Sequence, residues 1–179
     1  MTWLIVVIAV LVLFGMYLSS TAGRLDRLHH RVDTAYASLD AQLLRRSGAA
    51  VSIASSGRLD PASTLLLGDA AIAARDSKQG PQGRTQVESD LTKAISATIG
   101  SKEDLEVLEG EPLGVEAVAA MSESFHRAVL ARRFYNDAVR ACRAVRRQRF
   151  VRWFRLAGHT PWPQTVEMDD DIPPGFAGR

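Results

Sequence analysis

The sequence predicts an all-α protein: an N-terminal transmembrane helix followed by an antiparallel up-and-down bundle of four helices, with three long helices as the alternative. Residues 3–18, WLIVVIAVLVLFGMYL, carry no charge. Two proline-free stretches, 24–56 and 115–158, repeat apolar residues at alternating spacings of three and four, the period of one helix face. β-Branched residues are scattered and no Asn-Gly or Asp-Gly pair occurs, so nothing signals a hairpin.

The anchor comes first. The first charged residue is Arg24, so the apolar run supplies the roughly 20 residues that a hydrocarbon core of about 30 Å asks of a helix. A cleaved signal peptide would need a basic leading segment, and residues 2–23 hold no Lys or Arg, which favours a retained anchor over 1–22. Nothing basic precedes the span, whereas Arg24, Arg27 and Arg31 follow it. By the positive-inside rule the expected protein is single-pass in the cell membrane, N-terminus outside and C-terminal domain in the cytoplasm. Cys142 is the one cysteine, which rules out an internal disulfide and suits a reducing compartment.

Residues 23–157 read as one helical-bundle domain. Its first helix, 24–56, places Leu25, Leu28, Val32, Ala35, Leu39 and Leu43 on one face and is expected to run straight out of the membrane and stop near Gly57. A second helix starts at Asp60-Pro61, a capping side chain followed by a proline where its missing N–H is harmless, with Leu65, Leu66, Leu67, Ala70, Ala71 and Ala74 as its apolar side. Residues 77–83, SKQGPQG, are expected to form an exposed loop. Thr85 and Glu88 have capping-box spacing for a third helix, which carries Leu91, Ala94, Ile95 and Ile99 and ends at Gly100. Residues 101–108 allow one short helical turn before Gly110, Pro112 and Gly114 break the chain. From Val115 a last helix of about 40 residues is expected. The stretch 158–179, with four prolines and the acids Glu167, Asp169, Asp170 and Asp171, reads as an extended or disordered tail.

Chemistry is not legible. The four histidines form no ligand spacing and the glycines match no phosphate-binding pattern, so catalytic, cofactor-binding and metal-binding residues are all predicted as none. The stretch above background is 140–155, RACRAVRRQRFVRWFR, with seven arginines, no acid and three aromatic residues. In an up-and-down bundle of four, the last helix returns to the membrane, so Arg146, Arg147, Arg149, Phe150, Arg152, Trp153, Phe154 and Arg155 are expected at its surface. Each arginine there is worth about 1 kcal/mol against anionic lipid, and Trp prefers the headgroup boundary. With three helices the same stretch would point away. The alternative use is nucleic acid, whose phosphates arginines neutralise and whose bases aromatics stack, or an acidic partner. The lipid bilayer is the favoured partner and nucleic acid the disfavoured one; a protein partner goes unnamed, and exposed bundle faces leave self-association open.

Two further segments, RVDTAYASLDAQLLRR at 31–46 and ARRFYNDAV at 131–139, resemble the LemA family of bacterial membrane proteins: an aromatic, an acid, Gln-Leu and two basic residues in the first helix, then Ala-Arg-x-x-Tyr-Asn-x-x-Val in the last. The chain departs from that pattern at Ser47–Val51 and at the arginine run, as a divergent branch would. The resemblance implies one N-terminal span with an extracytoplasmic N-terminus, a cytoplasmic helical bundle and no established activity, with no catalytic residue to carry over. Tyr135 and Asn136 could meet Asp40, Gln42 or Arg45 in a buried polar contact that fixes register; the plainer reading is a core tyrosine with a satisfied hydroxyl and a surface asparagine. The function expected is a non-enzymatic scaffold or interaction module at the cytoplasmic membrane face, with a membrane-tethered binder of nucleic acid or an acidic partner as the alternative.

Overall fold

A computed structural model of the chain describes residues 1–77 and 80–178. All its regular structure among these is helical. Helix α1, Thr2–Ala54, is unbroken over 53 residues, about 80 Å at 1.5 Å per residue. Its N-terminal part is long and apolar enough to cross a membrane, and none of the most apolar stretch is buried in the protein. Beyond it the same helix turns amphipathic, burying Leu25, Val32, Leu39, Leu43, Ala50 and Ile53 along one stripe. Burial of such side chains contributes roughly 1.5–3 kcal/mol each, so the lower stripe, and not helix propensity, holds α1 to its neighbours.

Helix α2, Pro61–Asp76, begins as expected, with the Asp60 carboxylate accepting from the N–H groups of Ala62 and Ser63. Only Leu67, Ala71 and Ala74 of its predicted apolar side are buried; Leu65 and Leu66 face outward. Helix α3, Pro81–Ile99, starts four residues earlier than Thr85. Pro81 takes the first helical position, which a proline tolerates because that N–H has no helical partner, so 81–83 is helix and not loop. Lys78 and Gln79 of the predicted loop lie outside the described residues. Glu88 is therefore mid-helix and fully buried instead of capping.

Helix α4, Lys102–Leu108, carries a reciprocal capping box of Ser101 and Asp104. Helix α5, Pro112–Arg146, starts at its proline and includes Gly114, expected to break it. A Cβ on Gly114 would lie 1.7 Å from the Leu108 carbonyl oxygen, so this glycine serves close packing against α4. The single helix expected to reach residue 157 stops at Arg146, and a short α6, Arg149–Trp153, follows an extended Gln148.

The up-and-down order holds. Helix α2 returns along α1, α3 packs on α2, and α5 packs along α1. The half of the bundle far from the apolar run gathers Ile53, Leu67, Leu91, Ile95, Leu105 and Phe125 into one core. The proximal half is a pair, α1 and α5, joined by Leu25, Leu39, Leu43, Val139 and Cys142. Five helices, α1 to α5, contribute to the distal core, whereas the proximal core is α1 and α5 with Val151 of α6.

The tail departs furthest from its reading. It is extended, as its prolines demand, yet it lies as a strap along the bundle with Val166, Met168 and Phe176 buried. Phe176 ends in the distal core, its ring centroid 5.4 Å from that of Phe125. The Gly175 N–H donates to the Gly100 carbonyl at 2.8 Å, and a Cβ on Gly175 would fall 2.6 Å from the Ser101 carbonyl oxygen. Acidic, proline-rich composition suggested disorder because such a segment cannot bury enough apolar surface alone; here the bundle supplies the surface.

Candidate basic-aromatic site

At the end of α5 the arginines divide into two sets. Arg140 pairs with Asp137 at 2.7 Å. Arg143 donates from Nε to the Pro163 carbonyl at 2.7 Å. Arg146 donates to the carbonyls of Pro161 and Thr160 at 2.6 and 2.8 Å and lies over the Trp162 ring at 5.0 Å. Arg146, predicted at a membrane surface, is thus turned inward to hold the strap. Arg147, Arg149, Arg152 and Arg155 are exposed, and their side chains make no hydrogen bond or ion pair among the described residues.

Helix α6 stands beside the apolar run of α1. The rings of Phe150 and Tyr17 are 5.3 Å apart and those of Phe154 and Phe14 5.5 Å. Val151 is buried, while Trp153 is 86% exposed and edges a shallow depression with Arg149 and Arg152. So α6 offers apolar contact to α1 and a face of two arginines and a tryptophan outward. Arg155 and Gly158, both with positive φ (51° and 54°), then reverse the chain into the strap.

The predicted register set separates. Tyr135 and Asn136 are buried, but the hydrogen bonds of both go to the strap and not to α1. The Tyr135 hydroxyl donates to the Gln164 carbonyl at 2.7 Å, and its ring lies 5.6 Å from that of Tyr36. The Asn136 amide grips Val166 twice, donating to its carbonyl and accepting its N–H, each at 2.9 Å. Arg45 is exposed, the Gln42 Oε1 is buried without a hydrogen-bond partner among the described residues, and Asp40 pairs with Arg84 of α3.

What fixes α1 against α3 is Arg46, which the sequence reading passed over. It is fully buried and bridges the Glu88 carboxylate at 2.7 Å, the Glu88 carbonyl at 2.9 Å and the Thr92 hydroxyl at 3.1 Å. Arg84 reaches the same carboxylate at 3.3 Å. The signal is the stripe itself: Leu39, Leu43, Arg46, Ala50 and Ile53 continue its three-four alternation beyond Leu43. The cluster extends to the strap, since the Thr92 hydroxyl donates to the Asp169 carbonyl at 2.7 Å and the Asp169 N–H donates to Ser89 at 3.0 Å. Arg132 closes a two-pronged pair on Asp170 at 2.8 and 3.0 Å, the strong form of such a contact.

Between α1, the start of α3 and the strap lies a cavity of about 550 Å³. His29, Asp33, Tyr36, Tyr135 and Trp162 are among its walls. Burial, reinforced by the Arg146 guanidinium, holds the His29 imidazole below its ordinary value, and burial pushes both tyrosine hydroxyls up. Burial likewise raises the Cys142 thiol, which keeps it protonated and unreactive. Among the described residues no group of three or more His, Cys, Asp or Glu side chains is arranged to hold a metal ion. The cationic and aromatic side chains of residues 140–155 thus gather at α6 and the end of α5. No protein family, curated protein or solved structure matches this chain.

Proposed function

We propose that the chain is a divergent LemA-type, single-span membrane protein whose helical bundle is a non-enzymatic scaffold on the cytoplasmic face, clamped to anionic lipid by α6. The observation that carries this reading is the position of α6: Phe150 and Phe154 lie on the apolar run at Tyr17 and Phe14, while the side chains of four nearby arginines have no partner among the described residues. Phe14 lies four residues before Leu18, the last apolar residue of the run. At 1.5 Å per residue that is about 6 Å inside its edge, within the 5–10 Å depth at which interfacial helices lie. Four arginines at about 1 kcal/mol each against anionic lipid give a clamp of roughly 4 kcal/mol. The arginines Arg24, Arg27 and Arg31 after the span support the cytoplasmic orientation, and the segments at 31–46 and 131–139 support the family assignment.

The test is depth-resolved fluorescence on the full chain in nanodiscs, with Cys142→Ala and a dye on Trp153→Cys. In discs containing phosphatidylglycerol the dye should shift to the blue and be quenched by lipids labelled near the headgroup. Arg149→Glu with Arg152→Glu should return it to water. A dye that stays solvent-exposed in anionic discs would sink the clamp.

A further inference from the structure

The proximal half of the bundle is covered on one side only. His29, Asp33 and Tyr36 of α1 face the strap across the cavity, whereas Arg27, Arg31, Thr34 and Ser38 lie on a different face of the same helix and line a groove of about 440 Å³ against α5. The groove floor is small: Thr34, Ala35, Ser38 and Ala131. Its α5 wall is Phe134, 59% exposed, with Leu130 one turn earlier, 53% exposed. Its rim is Arg27, His30 and Arg31, no carboxylate lines it, and neither arginine has an ion-pair partner among the described residues.

Small residues between two helices let a third approach to the 8–10 Å interaxial distance of ordinary helix packing. Two exposed large apolar side chains one turn apart on α5 give an amphipathic helix a surface on which to lay its own i, i+4 anchors. The charge selects the occupant. In a span shared by α1, two copies must stand parallel, so a two-fold dimer through this groove would set Arg27 and Arg31 of one copy at the same height as those of the other. Symmetry makes that contact isologous, and like charges brought together in this way repel. A partner must bring the opposite sign.

We infer that the α1–α5 groove is a docking site for an acidic amphipathic helix of another protein. The helix lays its apolar stripe on Phe134 and Leu130 and sets carboxylates against Arg27 and Arg31. It completes the proximal half as a three-helix packing on the side the strap leaves bare. This site is separate from α6 and stands without the membrane clamp.

Full-length protein in neutral phosphatidylcholine nanodiscs, bearing a photo-crosslinking benzoylphenylalanine at Ser38, tests it with two synthetic helices of identical leucine spacing. One carries Glu on its flanks, the other Lys. The Glu helix should bind at least tenfold more tightly by fluorescence anisotropy and crosslink at position 38. Phe134→Ala should weaken it about tenfold, as truncating an interface anchor does, and Arg27→Glu with Arg31→Glu should reverse the preference. Arg149→Ala with Arg152→Ala should change nothing; loss of binding in that variant would assign the contact to α6 and overturn the proposal. Equal binding of the two helices, a crosslink elsewhere, or a crosslink between two copies of the chain would overturn it as well.

Discussion

Asn136 shows how far a single residue could be read. Its position beside Tyr135 in the last helix offers a buried polar contact with α1, with a surface asparagine as the plainer reading; it is buried, and the surface reading fails. The partner could not be read, because the two Val166 backbone groups it satisfies lie 30 residues away in a segment whose composition argues for no fixed structure. Removing the amide strands a buried N–H and a buried carbonyl at once. Leaving such groups unpaired costs about 1–3 kcal/mol each, so Asn136→Ala should lower the stability of the full chain by at least about 1 kcal/mol in chemical unfolding. A change under about 0.5 kcal/mol, the size typical of a surface site, would mean that Val166 finds other partners. The arginines of 140–155 teach the same lesson in reverse. Identical in sequence terms, Arg146 and Arg147 diverge because one faces the strap carbonyls and the other faces out.

At the scale of elements, the existence of each long helix is legible in the sequence, whereas which helix its buried face meets is not. The apolar run, the amphipathic stripe below it and the caps at Asp60 and Pro61 all predicted elements that are present. Arg46 belongs to the α1 stripe by spacing, yet a charged residue there is indistinguishable from its exposed neighbour Arg45 until the facing helix is placed. That placement depends on α3 starting at Pro81, which turns Glu88 and Arg84 toward α1. The break before α6 has no glycine or proline to announce it, and it lets Phe150 reach Tyr17. The buried pair makes a sharp prediction about α1 against α3. Glu88→Ala leaves the Arg46 guanidinium buried without a counter-charge, held only by the residue-88 carbonyl and the Thr92 hydroxyl, which costs about 3–5 kcal/mol. Arg46→Leu combined with Glu88→Leu removes both charges and should recover most of that loss, because a well-packed apolar pair replaces a buried ion pair at little cost. Equal destabilisation in the single and double variants, measured by thermal unfolding, would show that the pair's packing and not its charge decides.

For the whole molecule, the strap joins what the helices leave separate. Val166 and Met168 belong to the proximal core and Phe176 to the distal one, so one extended segment spans both, and its acids meet Arg132 between them. Composition could not reveal this, since the strap's apolar residues are few and widely spaced and acquire a core only from the helices they lie on. If the strap docks as one unit, releasing either end should weaken the other. Phe176→Ala removes a fully buried aromatic, at a cost of about 3–5 kcal/mol; Asn136→Ala releases the opposite end. The two sites share no contact, and independent sites add to within about 0.3–0.5 kcal/mol. A cooperative strap instead predicts that the double variant loses less than the sum of the singles by more than about 1 kcal/mol, with hydrogen exchange at Val166 and Asp169 accelerated in Phe176→Ala alone. Additive losses with Val166 still protected would show two independent anchors, and the strap would then be a pair of local contacts joined by slack chain.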